Sequence, residues 1–452
     1  MRSKQHVYLA GIVLMLLAQA AHALLPIQYW ETKRGARVYF VENRDLPMLD
    51  VSVDFPAGSG FDSREASGVA NMTNNMLRLG AGGMNEDELA RKLADIGAQF
   101  AGRFDNDRAG VGMRMLSSAQ ERKASLELLG KILNQPEFPA NVLEREKVRL
   151  IAALKEADTK PDTIASRTFS RMVYPTHPYG LRGSGEIDTV AKLARDELVA
   201  FHRRYYTAER AVVAIMGDVG RDEAAAIAEA LTAPLPSAAG QGSEATLPPV
   251  PPLEKAEARW ITHPATQSHI LMGGPGIRRE DPDYFALFVG NHILGGGGFS
   301  SRMTDEVRQK RGLAYSAYSY FSPMLREGPF IIGMQTKGEQ AKEALGVARK
   351  VVEDFVAQGP TAKELAAAKK NIVGGFPLRI DSNRKIHEYL AVIGFYRLPL
   401  TYLDDFTKKV DAVTAEQVRS AFQRRVHPER LVTVVVGQPE QQAALEEPPR
   451  RP

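Results

Sequence analysis

Cysteine is absent from the 452 residues. That excludes a disulfide framework, Cys-ligated zinc, iron–sulfur clusters, a Cys nucleophile and a lipid-modified Cys. Charge imbalance is also lacking. The 58 Lys+Arg and 54 Asp+Glu leave a net +4, no ground for nucleic-acid binding, which needs a clustered basic face. No stretch beyond the leader is apolar enough to span a membrane. The chain contains no G-x-S-x-G, no P-loop and no H-E-x-x-H, so serine-hydrolase, phosphate-loop and zincin readings have no motif to rest on. What remains is a globular composition, 44% hydrophobic and 25% charged. At roughly 100–200 residues per domain, it suffices for two or three domains.

The first segment reads as an address. Arg2 and Lys4 precede an apolar run from about Val7 to Leu17, and Ala21-His22-Ala23 is an A-x-A cleavage signal. This is the three-part pattern of a secretory signal peptide over residues 1–23, with an apolar run too short to span a bilayer. Its removal takes Arg2 and Lys4 from the +4 and leaves +2. The expected location is the bacterial periplasm, with no membrane association once the leader is gone.

The rest of the chain is built twice. FHRRYYTAERAVVAIMGDV from Phe201 and FQRRVHPERLVTVVVGQP from Phe422 share an aromatic, Arg-Arg, a turn ending Glu-Arg, and an apolar strand closing on Gly217 or Gly437. Leu49, Val51, Val53 and Phe55 alternate like a half-buried strand, as do Ser268, Ile270 and Met272. Gln120–Gln135 and Gln340–Gln358 both read as amphipathic helices followed by a proline turn and a second charged helix. Several matches in one order argue for duplication. The Pro/Gly/Ser/Ala-rich stretch 233–257 reads as a linker. The expected fold class is α+β: two homologous domains, 25–232 and 258–438, each a mainly antiparallel sheet packed with helices, together half of a clamshell chamber. Residues 439–452 are expected to be a disordered tail.

Three stretches carry a resemblance: SGVANMTNNMLRLGAGGMNEDELARKLADIGAQF from Ser67, YPTHPYG over Tyr174–Gly180, and LGGGGFSSRMTDEVRQKRGLAYSAYS from Leu294. With the duplicated architecture they resemble the pitrilysin/insulinase-like family of inverted zinc peptidases over nearly the whole mature chain. Active members carry H-x-x-E-H, two His ligands on one helix face with a water-activating Glu beside them. The matching positions here are Asn71, Asn74 and Asn75. A further Glu ligand is expected about 76 residues on, at Ala152 or Ala153, with Glu156 out of register. Neutral amides are poor zinc ligands and Asn cannot act as a general base. The three Asn read as a polar, hydrogen-bonded helix face. Phe100 stands where the family tends to place Asn on its cleft strand. None of His177, His202, His263, His269, His292, His387 and His427 pairs at i,i+4.

The second half differs. In active members an Arg and a Tyr spaced like Arg308 and Tyr315 reach across to the zinc site and hold the substrate backbone and oxyanion, for which both side chains are suitable donors. Gly295, Gly296, Gly297 and Gly298 lack a phosphate-loop pattern and read as a helix end and turn, or as a substrate-contacting loop. The resemblance therefore implies a non-catalytic subunit of a heterodimeric zinc peptidase. It would bind peptide and lend Arg308 and Tyr315 to a homologous, H-x-x-E-H-bearing partner that holds the zinc, with no metal or other cofactor in this chain and a homodimer as the arrangement without that partner. The rival readings are a non-enzymatic peptide-binding or assembly module and an independent peptidase of unfamiliar chemistry.

Overall fold

The computed structural model describes residues 26–238, 240 and 245–438, so the candidate leader and the C-terminal tail lie outside the described residues. No helix among them is long and apolar enough to cross a membrane. Strands β1 (Gln28–Glu31), β2 (Arg37–Glu42) and β3 (Met48–Phe55) open the chain, and β4 (Gly80–Ala81) with β5 (Met84–Asn85) forms a small hairpin. Next come β6 (Gln99–Phe104), β7 (Ala109–Leu116) and β8 (Val212–Gly217), then β9 (Glu257–Thr262), β10 (Gln267–Pro275), β11 (Ala314–Phe321), β12 (Pro329–Lys337) and β13 (Val432–Gly437). The first sheet runs β1-β2-β8-β3-β7-β6 and the second β11-β12-β10-β13-β9. Without β1, the two orders are the same pattern. Each has one parallel pair, β2 with β8 and β9 with β13, and is otherwise antiparallel.

The helices repeat too. We label α1 (Val69–Met76), α2 (Ala119–Asn134), α3 (Ala140–Ala157), α4 (Pro161–Val173) and α5 (Arg195–Tyr205) in the first half. Their counterparts are α6 (Tyr284–Asn291), α7 (Ala341–Gln358), α8 (Ala362–Gly375), α9 (Asn383–Phe395) and α10 (Ala415–Arg425). Local chemistry starts several of them. Thr361 and Glu364 form a capping box at α8, as Thr414 and Gln417 do at α10, each satisfying otherwise orphaned N–H groups. Pro161 opens α4 at a position where its missing donor costs nothing. As the periodicity predicts, α2 buries Leu129 and Leu133 and α7 buries Leu345, Ala348, Val352 and Phe355.

One expectation needs correction. The alternation along β3 predicts one wet face, yet both faces are covered: Leu49, Val51, Val53 and Phe55 on one side, Asp50, Ser52 and Asp54 on the other. The cover on the polar side comes from the other half. Helix α9 lies on β8, β3 and β2, and α4 lies reciprocally on β13 and β10. Leu390 and Ala391 share a buried cluster with Tyr39, Val41, Val212 and Met216, and Phe169 shares one with Val432, Val434 and Val436. Gly394 is required at the first contact, because a Cβ there would stand 2.7 Å from Tyr39. Arginines neutralise the buried carboxylates beneath α9, Arg103 to Asp54 at 2.9 Å and Arg114 to Asp50 at 3.0 Å. Neither half closes its core alone; each lends the other a helix.

The segment read as a linker is also more than a tether. Leu235, Ala238 and Leu247 are buried. Pro248 O meets His177 Nε2 at 3.0 Å, and Leu247 O accepts from Arg326 Nε at 2.8 Å.

Candidate functional site

The degenerate zinc motif sits on α1. Asp62 fixes the start of this helix, its carboxylate accepting from Gly68 N at 2.7 Å and Ala70 N at 3.0 Å. Burial pushes the Asp62 carboxyl up to about 7 against the pull of those donors. Asn74, at the general-base position, is buried. Its Nδ2 donates to Gly110 O of β7 at 2.9 Å and to the Tyr206 hydroxyl at 3.3 Å. Tyr206 is fully buried and stacks on His202, ring centroids 4.8 Å apart. Asn74 thus pins α1 to the sheet. Asn75 is exposed and donates to Asn71 Oδ1 at 3.3 Å, one turn back. Ala153 lies exposed on α3, and Glu156, a turn further, pairs with Lys160 at 2.8 Å.

This set does not fit zinc. It offers amide groups and a methyl where the metal needs imidazole and carboxylate, and the buried amide is already spent on β7 and Tyr206. Among the described residues no group of three or more His, Asp or Glu could hold a metal ion. The histidines have other partners. His202 Nε2 faces Leu133 O at 3.1 Å and His387 Nε2 faces Ala214 O at 3.2 Å. Burial pulls these imidazoles down to about 4 and about 3 respectively.

The YPTHPYG stretch joins the halves. The Tyr179 hydroxyl donates to Asp107, Tyr396 at the end of α9 donates to the same carboxyl at 2.8 Å, and Leu325 N donates at 2.8 Å. Tyr174 adds a bond to Glu327 O at 2.9 Å. Burial holds the Asp107 carboxyl up, at about 6.

In the second half, α6 widens into a π turn over His292–Gly296, followed by a 3₁₀ turn Gly298–Ser300. Gly295 is obligatory there: an added Cβ would stand 2.4 Å from Ser319 N on β11. Asn291 locks the same junction, donating to Ser319 O at 3.0 Å and accepting from its hydroxyl at 2.7 Å. A groove of about 490 Å³ runs between this turn and β11, with Gly295, Gly296 and Gly298 on one wall and Tyr318 and Tyr320 on the other. The two tyrosines stack at 6.0 Å. Strand β11 is an edge of its sheet.

Arg308 ends the irregular helical turn Thr304–Gln309 and is exposed, its guanidinium 4.9 Å from the centre of the Phe299 ring. Its neighbours are neutralised: Lys310 by Asp305 at 2.8 Å and Glu306 at 2.6 Å, Arg311 by Glu306 at 2.5 Å. Among the described residues no carboxylate pairs with Arg308 in this way. Tyr315 opens β11 beside a bulge and is 64% exposed. The structure thus brings Arg308 to Phe299, directly after the glycine run, and leaves Tyr315 uncovered. The sequence reading missed the flanking Tyr318 and Tyr320; their alternation in AYSAYSYF was the available signal.

Comparison with known proteins gives each half a family match. A family model described as insulinase (peptidase family M16) matches residues 37–182, and one described as the peptidase M16 inactive domain matches residues 192–372. A Bacillus subtilis relative named an uncharacterized zinc protease is 24% identical over 396 residues, 87% of this chain and 94% of its own. A Helicobacter pylori relative named a non-peptidase homolog is 23% identical over 404 residues, 88% of this chain and 91% of its own. A Pseudomonas fluorescens structure described as a peptidase M16 inactive domain superposes with a TM-score of 0.87 at 37% identity, covering 92% of this chain and 98% of that one. The periplasmic protease PqqL of Escherichia coli shares the fold at 15% identity and a TM-score of 0.76; 92% of this chain matches only 46% of that one.

Proposed function

We propose that this chain, which belongs to the insulinase (peptidase M16) family, is a non-catalytic, substrate-binding subunit of an exported heterodimeric zinc peptidase. One observation carries the reading: Asn74 at the general-base position is spent on β7 and Tyr206 and the ligand positions hold amides and a methyl, whereas Arg308 and Tyr315 stand exposed, with no carboxylate partner for Arg308 among the described residues. The match to about half of a longer protease supports it, because a half-length chain needs a second one to complete a chamber.

In this role the groove beside β11 holds an extended peptide. A free strand edge offers backbone donors and acceptors to such a peptide, and Tyr318 and Tyr320 offer ring faces. The partner contributes H-x-x-E-H and with it the zinc, which polarises the scissile carbonyl and lowers the pKa of water. Arg308 and Tyr315 donate hydrogen bonds to the carbonyl oxygen as it gains charge. The leader directs the complex to the periplasm.

The test is reconstitution with an H-x-x-E-H-bearing homologue from the same organism and a quenched fluorescent peptide. We expect each chain alone to be slow and the mixture to cleave, with loss of activity on chelation. A mixture no faster than the partner alone would overturn the subunit role. Peptide affinity without any rate effect would assign the chain to the second reading, a peptide-binding or assembly module that kept the fold, as the H. pylori relative's name suggests for that protein.

A further inference from the structure

The two sheets differ at one edge. In the first, β1 pairs antiparallel with the outer side of β2, Gln28 opposite Phe40 and Glu31 opposite Arg37. In the second, β9 holds the place of β2, parallel to the last strand of its half, and among the described residues no strand pairs with its outer side. The cause lies in the preceding residues. Strand β1 begins nine residues before β2, and the same count back from Glu257 falls on Pro248. The four residues in the place of β1, 248–251, read Pro-Pro-Val-Pro. Proline has no N–H to give to a ladder. The stretch runs instead as a three-residue repeat: Leu247 is buried and Val250 and Leu253 pack in the same apolar cluster, while Pro248, Pro249, Pro251 and Pro252 are exposed. That is the period of polyproline II, which makes no ladder hydrogen bonds and leaves the neighbouring edge bare.

Strand β9 reads EARWIT, with Glu257, Ala258 and Arg259 exposed and Trp260 and Ile261 half-buried. Alternation puts Glu257, Arg259 and Ile261 on one face of the sheet and Ala258 and Trp260 on the other. Ile261 joins the cluster of Val432 and Val434, and Trp260 packs against the separate cluster that holds Val435. The far end of the strand is fixed: His263 N donates to Gly437 O at 2.6 Å, and His263 Nε2 meets Thr159 O at 2.9 Å. At the near end neither Glu257 nor Arg259 has an ion-pair partner among the described residues. A free edge is usually blunted by a bulge, a proline or lysines. Strand β9 has none of these, and carries instead two opposite charges two residues apart on one face.

We propose that β9 adds antiparallel to β9 of a second copy of this chain, joining their sheets across a two-fold axis at Ala258. With the axis normal to the sheet, Ala258 stands opposite itself, Glu257 opposite Arg259 of the second copy, and Arg259 opposite its Glu257. Two cross-strand pairs of opposite charge form at once. The neighbouring registers that keep the faces aligned lose them. An axis at Arg259 sets Arg259 against itself and Glu257 against Ile261, and an axis at Glu257 sets Glu257 against itself and Arg259 against Lys255. The contact is the same patch on both copies, so it closes as a dimer and uses up the edge. Because neither Arg308 nor Tyr315 takes part, the proposal does not depend on the subunit role.

Sedimentation velocity of the mature protein from roughly 5 to 500 μM is expected to show monomer passing to dimer with a Kd of about 10–100 μM, and nothing larger. In Arg259→Glu and in Glu257→Arg the facing charges become alike, and each variant is expected to associate at least about tenfold more weakly. An equimolar mixture of the two restores both pairs of opposite charge and is expected to associate as wild type. The chain has no thiol of its own, so Ala258→Cys reads the position of the axis. Facing Cα atoms about 4.5–5.5 Å apart lie within disulfide reach, and oxidised glutathione is expected to link the copies. Ala256→Cys, equally exposed but about 13 Å from its counterpart in this register, is expected to stay unlinked. A protein that stays monomeric throughout, a mixture no stronger than its components, or equal linking at both positions would each overturn the proposal. Charge swaps that weaken only the binding of the H-x-x-E-H partner, with this chain alone monomeric, would overturn it in favour of a strand from that partner.

Discussion

The helix α1 of the first half and the edge strand β11 of the second carry the two motifs of the candidate site, and their fates are opposite. On α1 the polar residues are turned to architecture: Asn74 is buried and bonded to β7 and Tyr206, and Asn75 to its own helix. Around β11 the two candidate donors are left to solvent, with Tyr315 64% exposed and Arg308 resting on Phe299. A group that serves the fold acquires partners within the chain. A group kept for a substrate or partner subunit does without them.

The largest effect that would break this comparison is in the reconstituted complex. Arg308→Ala and Tyr315→Phe are each expected to lower kcat about 10²–10³-fold, while the isolated chain melts as wild type because both residues are exposed. Full activity in either variant would remove the role assigned to that residue. A second challenge is to rebuild the motif. The triple variant Asn71→His, Asn74→Glu, Asn75→His puts a carboxylate into the buried Asn74 site without restoring a ligand at Ala153. We expect a loss of about 3–5 kcal/mol in stability and no stoichiometric zinc by metal analysis. Tight zinc in a stable triple variant would show that the site is poised rather than dismantled.

The helix exchange predicts that the halves unfold together. Phe169→Ala on α4 and Leu390→Ala on α9 are each expected to cost about 3–4 kcal/mol and to shift one shared denaturation transition. Two separated transitions would mean that the exchanged helices do not couple the halves. Smaller effects grade the motif itself. Asn74→Ala leaves Gly110 O and the Tyr206 hydroxyl unpaired and is expected to cost about 1–3 kcal/mol, whereas Asn75→Ala should stay within about 0.5 kcal/mol, both read by urea unfolding.

The pH dependence is the subtlest check. The Asp62 carboxyl, at about 7, lies above its unfolded value of 3.8. The native state therefore keeps a proton that the unfolded chain has lost, and this contribution to stability falls as pH rises from about 4 to 7. His202 and His387, at about 4 and about 3, act in the opposite sense, because the unfolded chain gains their protons first as pH drops below about 6.5. Asp62→Asn removes one side of this balance. Its stability relative to wild type is expected to rise by roughly 3 kcal/mol between pH 4.5 and 7.5; a constant difference would show that Asp62 is ionised throughout.

Much of this protein was readable along the chain, for a physical reason. Strand and helix periodicity, turn residues and capping pairs act over a few positions, so the duplication, the α+β class and the amphipathic helices α2 and α7 are local patterns. The failure of NMTNN as a zinc set is equally local, since it follows from what an amide can and cannot coordinate. Other features are invisible at that range. The polar face of β3 gives no sign that α9, over 300 residues later, will cover it, and a strand with three polar residues reads as half-wet. The linker composition hides the burial of Leu235 and Leu247.

By itself the sequence determined the repeat, the fold class and the poor fit of the motif positions to zinc, because each depends on side-chain identity and near-neighbour spacing. Only the tertiary structure decided which half each helix braces and that Asp107 gathers Tyr179, Tyr396 and Leu325. These are meetings of residues far apart in the chain, and nothing but the folded backbone sets their distance.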